Sequence, residues 1–427
     1  RYAAHLWHGD THVVSVSPEK FFTVTGKMIE TQPMKGTAPR GRMVAEDLAN
    51  RDTLIASEKD IAENLMIVDL IRNDIGKVAE TGTVTTRDLF AVERYRTVWQ
   101  MTSIVEATLR NDVSLVDVFA ALFPCGSVTG APKARSMEII ANVEHGPRGA
   151  YCGAIGFIPP GDGLDGASFN VAIRTVEIDY AEGVARYGVG GGITWDSTVD
   201  GEYDEAVTKF EVLRFDVSRM DLVESIRWAD GWCSLDDHIN RIEASAAYWS
   251  FDFDRPTLLR ALEHLESELQ SPSKVRVVCG PGGEIDVAAQ AAAIRWARGP
   301  GPSVEPVTLT IDLDPIDDTN PRVFHKTTDR RAIMARTARH SESDDILMVN
   351  RLGRITESSI ANVAFLIDDE WTTPPLADGL LGGILREQLV RNGTLTERSI
   401  TIREAIDADA VALVSAVRGW RPAVIVA

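Results

Sequence analysis

The chain has 427 residues, 44% of them hydrophobic, and a formal charge of −19 at pH 7. That length and apolar content suffice for two sizeable cores, and the acidic balance argues against nucleic acid or an anionic membrane as a partner. Cys125, Cys152, Cys233 and Cys279 have neither C-x-x-C spacing nor the density of a disulfide scaffold, which predicts a reducing, cytoplasmic setting. No apolar run approaches membrane-spanning length.

The first readable element is a hairpin: Phe22 and Val24 alternate toward a Gly26-Lys27 turn, and Met28 to Thr31 return from it. Its second strand is predicted to deliver Lys35 to a loop, because Pro33, Gly36, Thr37 and Pro39 flank it. A lysine held there can act as a nucleophile if its surroundings favour the neutral amine. Upstream, Glu19 closes a Ser17-Pro18-Glu19 turn, where a carboxylate is ordinarily exposed. A helix from about Glu58 to Ile71 carries Asp60 and Glu63 at i, i+3. In Gly201 to Asp216, Glu202, Glu205 and Lys209 share a narrow arc of a second helix. Tyr203, Ala206, Val207, Phe210 and Leu213 form an adjacent apolar stripe, which predicts that the charges lie at the core boundary. Either acidic pair alone reads as a solvated charge run, but carboxylates converging from two helices are how Mg²⁺ is held.

The motifs NLMIVDLIRNDIG (Asn64 to Gly76), FPCGSVTGAPKARSMEII (Phe123 to Ile140), RGAYCGAIGF (Arg148 to Phe157), IRT (Ile173 to Thr175) and GVGGGITWDS running into EYDE follow in order. Together they resemble the catalytic portion of the chorismate-utilising enzymes, over residues 1–215. The resemblance implies chorismate as substrate, a glutamine amidotransferase subunit as ammonia donor, and the aminodeoxychorismate synthase branch, which a lysine at Lys35 marks. It gives Lys35 the attack at ring C2, Glu19 the role of general acid, and Asp60, Glu63, Glu202 and Glu205 the Mg²⁺. Arg174 and Lys209 would meet the substrate carboxylates, with Gly190, Gly191 and Gly192 allowing close backbone approach. Thr129 and Gly130, opening the helix that holds Lys133, would form another wall, and Tyr151 a ring contact. One departure is Gln100, which stands where several relatives have histidine. Relatives also carry a portion before the point matching Arg1, so this half of the fold is expected to be partial, with an N-terminal part missing.

A second organisation starts near Asp221 with a strand (VESIRW), a turn at Ala229 to Gly231 and a helix through LDDHINRIEASAAYWSF. Strand signals follow at Lys274 to Cys279 and Glu284 to Ala289, and Gly299 to Pro302 punctuates a crossing to a further subdomain. Lys326 is predicted to end a strand just before a helix, and Glu357 to stand just past the turn of a strand-turn-strand. With TTPPLADGLLGGILREQL and VSAVRGWRPA, this order resembles the class IV aminotransferases, fold-type IV pyridoxal 5'-phosphate (PLP) enzymes, over residues 222–427. The resemblance implies that Lys326 links covalently to PLP and moves a proton, and that Glu357 pairs with the pyridine nitrogen. Arg241, Gly383 and Ile384 would hold the phosphate, with Ser415 as the hydroxyl because Ala416 lacks one, and Leu385 replaces a threonine. A homodimer through this half is also expected.

The expected class is α/β (α+β), a partial chorismate-utilising fold followed by a PLP domain of two subdomains. Each half leaves a substrate ambiguity that the other narrows, since a product bearing a new amino group is what a PLP-dependent lyase needs. The alternatives are an anthranilate- or isochorismate-type synthase fused to a branched-chain or D-amino-acid transaminase, and an inactive first half that docks an amidotransferase.

Overall fold

The computed structural model describes residues 2–161, 163–195, 197–213, 220–291, 299 and 305–426. The tail of the helix expected to reach Asp216 and residues 300–302 of the Gly-Pro punctuation lie outside them. The chain divides into two compact units, Arg1–Arg40 with Glu46–Asp216, and Gly41–Ala45 with Val217–Ala427.

The first unit is built on two antiparallel sheets. The larger runs in the order Met34–Pro39, Val98–Thr108, Met28–Gln32, Lys20–Thr25, Ser168–Val171, Ala154–Phe157, with Thr85–Arg94 also pairing to Val98–Thr108. Val98–Thr108 is buried along most of its length, as its continuous apolar and small-polar composition requires of a central strand. The helix Glu58–Gly76 packs on this sheet through Ile67, Val68, Ile71 and Ile75, which recur at helical spacing. Each such side chain contributes about 1.5–3 kcal/mol by leaving water. Ser57 caps the helix, its hydroxyl accepting the Asp60 N–H. The smaller sheet orders Tyr2–His8, Thr11–Ser17, Thr175–Asp179 and Val184–Tyr187.

The second unit has two subdomains. A three-stranded antiparallel sheet, Leu222–Trp228, Ser273–Cys279 and Ile285–Ala291, shares a core with helices Leu235–Trp249 and Arg255–Glu266. An eight-stranded mixed sheet follows, with Val307–Asp312 parallel to both Asp345–Val349 and Gly419–Ile425. This is the expected mixture of α and β structure. Among the described residues no single helix is long and apolar enough to cross a membrane.

Local expectations are corrected in four places. Lys35 lies on a strand, Met34–Pro39, where the register against Val98–Thr108 shifts between Met34 and Thr37; the bulge accommodates the Lys35-Gly36 turn of chain without ending the pairing. Thr129 and Gly130 close a 3₁₀ turn, Gly126–Val128, and the helix begins only at Lys133, after Pro132. Lys326 follows a 3₁₀ turn, Pro321–Phe324, rather than ending a strand. On the helix Val199–Phe210, Glu202, Glu205 and Lys209 are half-buried, as the core-boundary reading expects, but the apolar stripe is split: Tyr203 and Val207 are 69% and 42% exposed, while Ala206 and Phe210 are half-buried. The half-buried charges find local partners: Lys209 donates to the Gly190 carbonyl and pairs with Glu205, and Glu202 accepts from Ser197.

Candidate active sites

Lys35 is fixed through its backbone. Asn64 Nδ2 donates to the Lys35 carbonyl at 3.2 Å, and Ser103 Oγ orients Asn64 by donating to its Oδ1 at 2.6 Å. Gln100 Nε2 donates to the Gly36 carbonyl at 2.7 Å while its Oε1 accepts from Thr37 Oγ1 at 3.1 Å. Gln100 therefore clamps the strand that carries the lysine. Gly36 has φ +94, and a Cβ there would meet Asp60 at 2.9 Å. The Lys35 amine reaches the Gly190 to Gly192 loop, where a Cβ on Gly192 would overlap Nζ.

Glu19 is not an exposed turn carboxylate: it is 3% exposed. Burial pushes it up to about 7, against the lowering pull of Ser127, Lys35, the Met34 backbone and Lys209. Its Oε1 is buried without a hydrogen-bond partner. Near neutral pH this carboxyl is protonated in a substantial fraction of molecules, within electrostatic reach of Lys35.

Two of the four acids, Glu63 and Glu202, are linked through hydroxyls. Glu202 Oε1 accepts from Ser197 Oγ at 2.6 Å, Ser197 and Thr194 hydroxyls lie 3.4 Å apart, and Thr194 Oγ1 donates to Glu63 at 3.3 Å. This hydroxyl relay joins the two helices. Burial raises the Glu63 carboxyl, opposed first by Lys35. Glu202 Oε2 is buried without a partner, and both it and Glu205 Oε2 crowd the position of a Cβ on Gly191. Glu205 pairs with Lys209 at 2.6 Å. Among the described residues no three His, Cys, Asp or Glu side chains are already disposed around one point as a metal site. The orphaned Glu202 oxygen and the bare Gly191 backbone nonetheless fit a cation of the oxygen-binding kind, held first by Glu202.

Lys209 Nζ also donates to the Gly190 carbonyl at 2.8 Å, and Arg174, at φ +52, donates through Nη1 to the Lys209 carbonyl at 2.8 Å. Both predicted carboxylate ligands are thus engaged with the protein. Tyr151 packs against the bare face of Gly188, with its hydroxyl beside Gly190. Thr129 donates to the Cys125 carbonyl at 3.0 Å, and a Cβ on Gly130 would meet Ser136 Oγ at 2.9 Å. Thr129 and Tyr151 line a cavity of about 530 Å³ with Phe123, Met137 and Ile140, which neither Lys35 nor Glu19 lines.

In the second unit, Lys326, Glu357, Arg241, Gly383, Ile384 and Ser415 all line one cavity of about 390 Å³. The Lys326 segment is stitched to the first strand, its carbonyl accepting from Val223 N at 2.9 Å. Burial, then Arg241, lower the Lys326 amine to about 8. Burial raises Glu357 to about 8, opposed by the Leu381 N–H and Lys326. Glu357 is held by Leu381 N and Asn362 Nδ2, both at 3.1 Å. Gly383 caps the helix Ile384–Arg391 and packs so closely on Asn362 that a side chain would collide. Ser415 Oγ accepts from Arg418 N at 3.3 Å, and Leu385 packs in an apolar cluster with Leu389 and Trp420.

Arg241 grips Glu224 through Nε and Nη2, both 2.7 Å, and the Gly382 carbonyl through Nη1 at 2.7 Å. Two of its five N–H groups remain for an anion. Burial alone would raise Glu224; Arg241 and His238 outweigh it and hold the carboxyl well below the usual range. Sequence reasoning misses Glu224 and His238. The available signal is an acid in the apolar phase of Leu222, Glu224, Ile226, which demands a buried partner. An amine that loses its proton far more readily than an exposed lysine's, an oriented carboxyl and a spare guanidinium edge around one cavity fit PLP.

Residues 1–214 match the family model described as chorismate binding enzyme, and residues 221–426 the model for amino-transferase class IV. An aminodeoxychorismate synthase of Streptomyces griseus is 47% identical over 210 residues, covering 49% of this chain and 28% of that protein. Anthranilate synthase component 1 1 of Haloarcula marismortui is 44% identical over 213 residues, covering 50% and 42%. The crystal structure of a branched-chain aminotransferase from Thermoproteus uzoniensis with norvaline is 24% identical, covering 48% of this chain and 78% of that one, at a TM-score of 0.43. The chain thus spans less than half the length of either of these two synthases.

Proposed function

The chain belongs to the chorismate binding enzyme family over residues 1–214, and from that membership, joined to its class IV amino-transferase half, we propose a bifunctional, cytoplasmic enzyme of 4-aminobenzoate formation. The first half makes 4-amino-4-deoxychorismate from chorismate and ammonia, drawn from glutamine by a partner amidotransferase. The second half eliminates pyruvate from it to leave 4-aminobenzoate, a folate precursor. The observation that carries this reading is the presence, on one chain, of Lys35 near the largely buried acid Glu19 and of Lys326 in a cavity with Glu357.

In the first step the neutral Lys35 Nζ would add at ring C2 and release a proton to solvent, the two conjugated ring double bonds would shift, and the C4 hydroxyl would leave as water with a proton from Glu19. Hydroxide is a poor leaving group, so a carboxyl still protonated near neutral pH suits that task. Ammonia adds at C4, the electrons return, and the C2–N bond to Lys35 breaks. Mg²⁺ would be held by Glu202 with Glu63, Asp60 and Glu205 around it. Lys209 and Arg174 would turn to the substrate carboxylates from their present backbone contacts.

In the second half PLP, when bound, supplies an electron sink. Lys326 would hold the cofactor and carry the proton from C4 of the substrate, Glu357 would face the pyridine nitrogen, and Arg241, Gly383, Ile384 and Ser415 would face the phosphate. Loss of that proton drives departure of the enolpyruvyl oxygen, giving pyruvate and an aromatic ring.

Incubation with chorismate, ammonium, Mg²⁺ and PLP tests the reading. The expected products are 4-aminobenzoate and pyruvate; 2-aminobenzoate would replace it with an anthranilate-type activity. The lack of a ready three-acid cluster among the described residues favours a second reading, a first half that only docks an amidotransferase. Mg²⁺-dependent binding of chorismate separates the two.

A further inference from the structure

The cavity of the second unit holds more positive charge than its assigned roles use. Arg322 is neutralised by Asp329 at 2.5 Å, Arg336 by Asp312 at 3.0 Å and Arg241 by Glu224 at 2.7 Å. Lys274, Arg330 and Arg418 also line it. Among the described residues no carboxylate lies within ion-pair distance of these three. In a chain of formal charge −19, cations left beside one another at a cavity wall carry a repulsive cost that an anionic ligand relieves. We propose that Lys274, Arg330 and Arg418 form a carboxylate subsite, through which the second half selects a substrate bearing two carboxylates over one bearing a single carboxylate.

Their placement supports this. Lys274 projects from the strand Ser273–Cys279 and is half-buried. Its amine is lowered by burial and then by Arg418, Arg276 and Arg330, so the charges that act on it are cationic. It also acts on Lys326, and Arg330 acts on Glu357, so the subsite flanks both groups around which the substrate must sit. Arg330 is steadied by donation from Nη2 to the Ser359 carbonyl at 2.6 Å. Arg418 follows the strand Ala410–Ser415 and is exposed, free to present its planar fork to a carboxylate. The inference rests on the lyase reading, whose substrate carries a ring carboxylate and an enolpyruvyl carboxylate.

The same cations could instead serve the cofactor phosphate, and the experiment separates the two anions. The full chain loaded with PLP is titrated with isophthalate, which carries two carboxylates, and with benzoate, which carries one. Binding is read as competition against pyruvate release and as the shift in the cofactor's absorbance, the latter needing no turnover. Arg418→Gln and Lys274→Gln should each weaken isophthalate by about tenfold or more, the loss of one charge-assisted contact. Benzoate should change by less than about threefold, and Lys274→Arg should recover most of the isophthalate affinity. Cofactor retention through gel filtration should match the parent in all three. Parallel weakening of both probes, unchanged isophthalate binding, or loss of cofactor would overturn the subsite. If the parent protein releases no pyruvate, the lyase reading fails, while the absorbance titration still decides the subsite.

Discussion

Gly192 stands against the amine of Lys35 so closely that a single added methyl would clash with Nζ. The loop of consecutive glycines is thus the wall that sets where this lysine ends. Gly192→Ala should displace the amine, because the end of a lysine moves more cheaply than backbone. The expected loss is about 100-fold in ammonia-dependent consumption of chorismate, with thermal stability within about 1 kcal/mol of the parent. Full activity in Gly192→Ala would mean that the amine need not sit there.

Glu19 gives the proposed amination step a pH signature. A general acid raised to about 7 predicts a rate that falls as pH climbs through that value. Glu19→Gln should remove this limb together with most of the rate. Stability carries the same sign: the folded carboxyl is raised above its unfolded value, so the native state binds the proton more tightly and loses stability as pH rises from about 4.5 to about 7. The loss is about 3 kcal/mol. Glu19→Gln should flatten that window in denaturant titrations at successive pH values.

The orphaned oxygen of Glu202 makes it the acid most exposed to loss of metal. Glu202→Gln should raise the Mg²⁺ needed for half-maximal chorismate turnover by about tenfold, one charge-assisted ligand's worth. Chelation with EDTA should stop the first step and leave pyruvate release from supplied 4-amino-4-deoxychorismate intact. An unaltered metal requirement would return Glu202 to a purely structural role in the Ser197 relay.

Lys326, lowered to about 8, should attach added PLP at a rate that rises with pH through about 8, well below an exposed lysine's range. The check is stopped-flow absorbance on cofactor-free protein. Lys326→Ala should lose the borohydride-trappable link, and 4-amino-4-deoxychorismate should accumulate in place of 4-aminobenzoate. Loss of amination as well, in a folded Lys326→Ala, would contradict two separate lysine sites.

Arg241 carries a structural duty separate from the phosphate role proposed for it. Removing it strands the buried Glu224 charge, so Arg241→Ala should destabilise even cofactor-free protein by about 3–5 kcal/mol. Pairing Arg241→Met with Glu224→Leu should return much of the stability without restoring PLP affinity, as calorimetry and cofactor titration would show.

The contrast between Glu19 and the helix Glu58–Gly76 explains what can be read without coordinates. The helix announces itself by local periodicity, and its Ser57 cap and apolar face follow. The environment of Glu19 is made by burial and by Ser127, Lys35 and Lys209, two of them more than a hundred residues away in sequence, and a Ser-Pro-Glu turn gives no hint of it. The glycine loop is legible as a close approach, but not that Gly192 faces the lysine. Periodicity also finds the arc of Glu202, Glu205 and Lys209 at the core boundary, yet not that Tyr203 and Val207 beside it lie exposed, because hydrophobicity is a weaker guide where a loop offers carbonyls and hydroxyls to charged groups. Gln100 reads in sequence as a lost histidine; in the fold it is a clamp on Gly36 and Thr37.

The backbone around Lys326 also sets where the second half can be cut from the first. Asp221 N donates to Thr328 Oγ1 and its carbonyl accepts from Thr328 N, each at 2.9 Å, while Met220 is only 6% exposed. These residues precede the first strand of the small sheet, yet they seat the segment two positions from Lys326. A separately expressed lyase half that begins at Val223 would keep every residue assigned to the cofactor and still fray at its lysine. One that begins before Met220 keeps the zipper shut, so the workable seam in the gene lies upstream of the seam that the catalytic residues suggest.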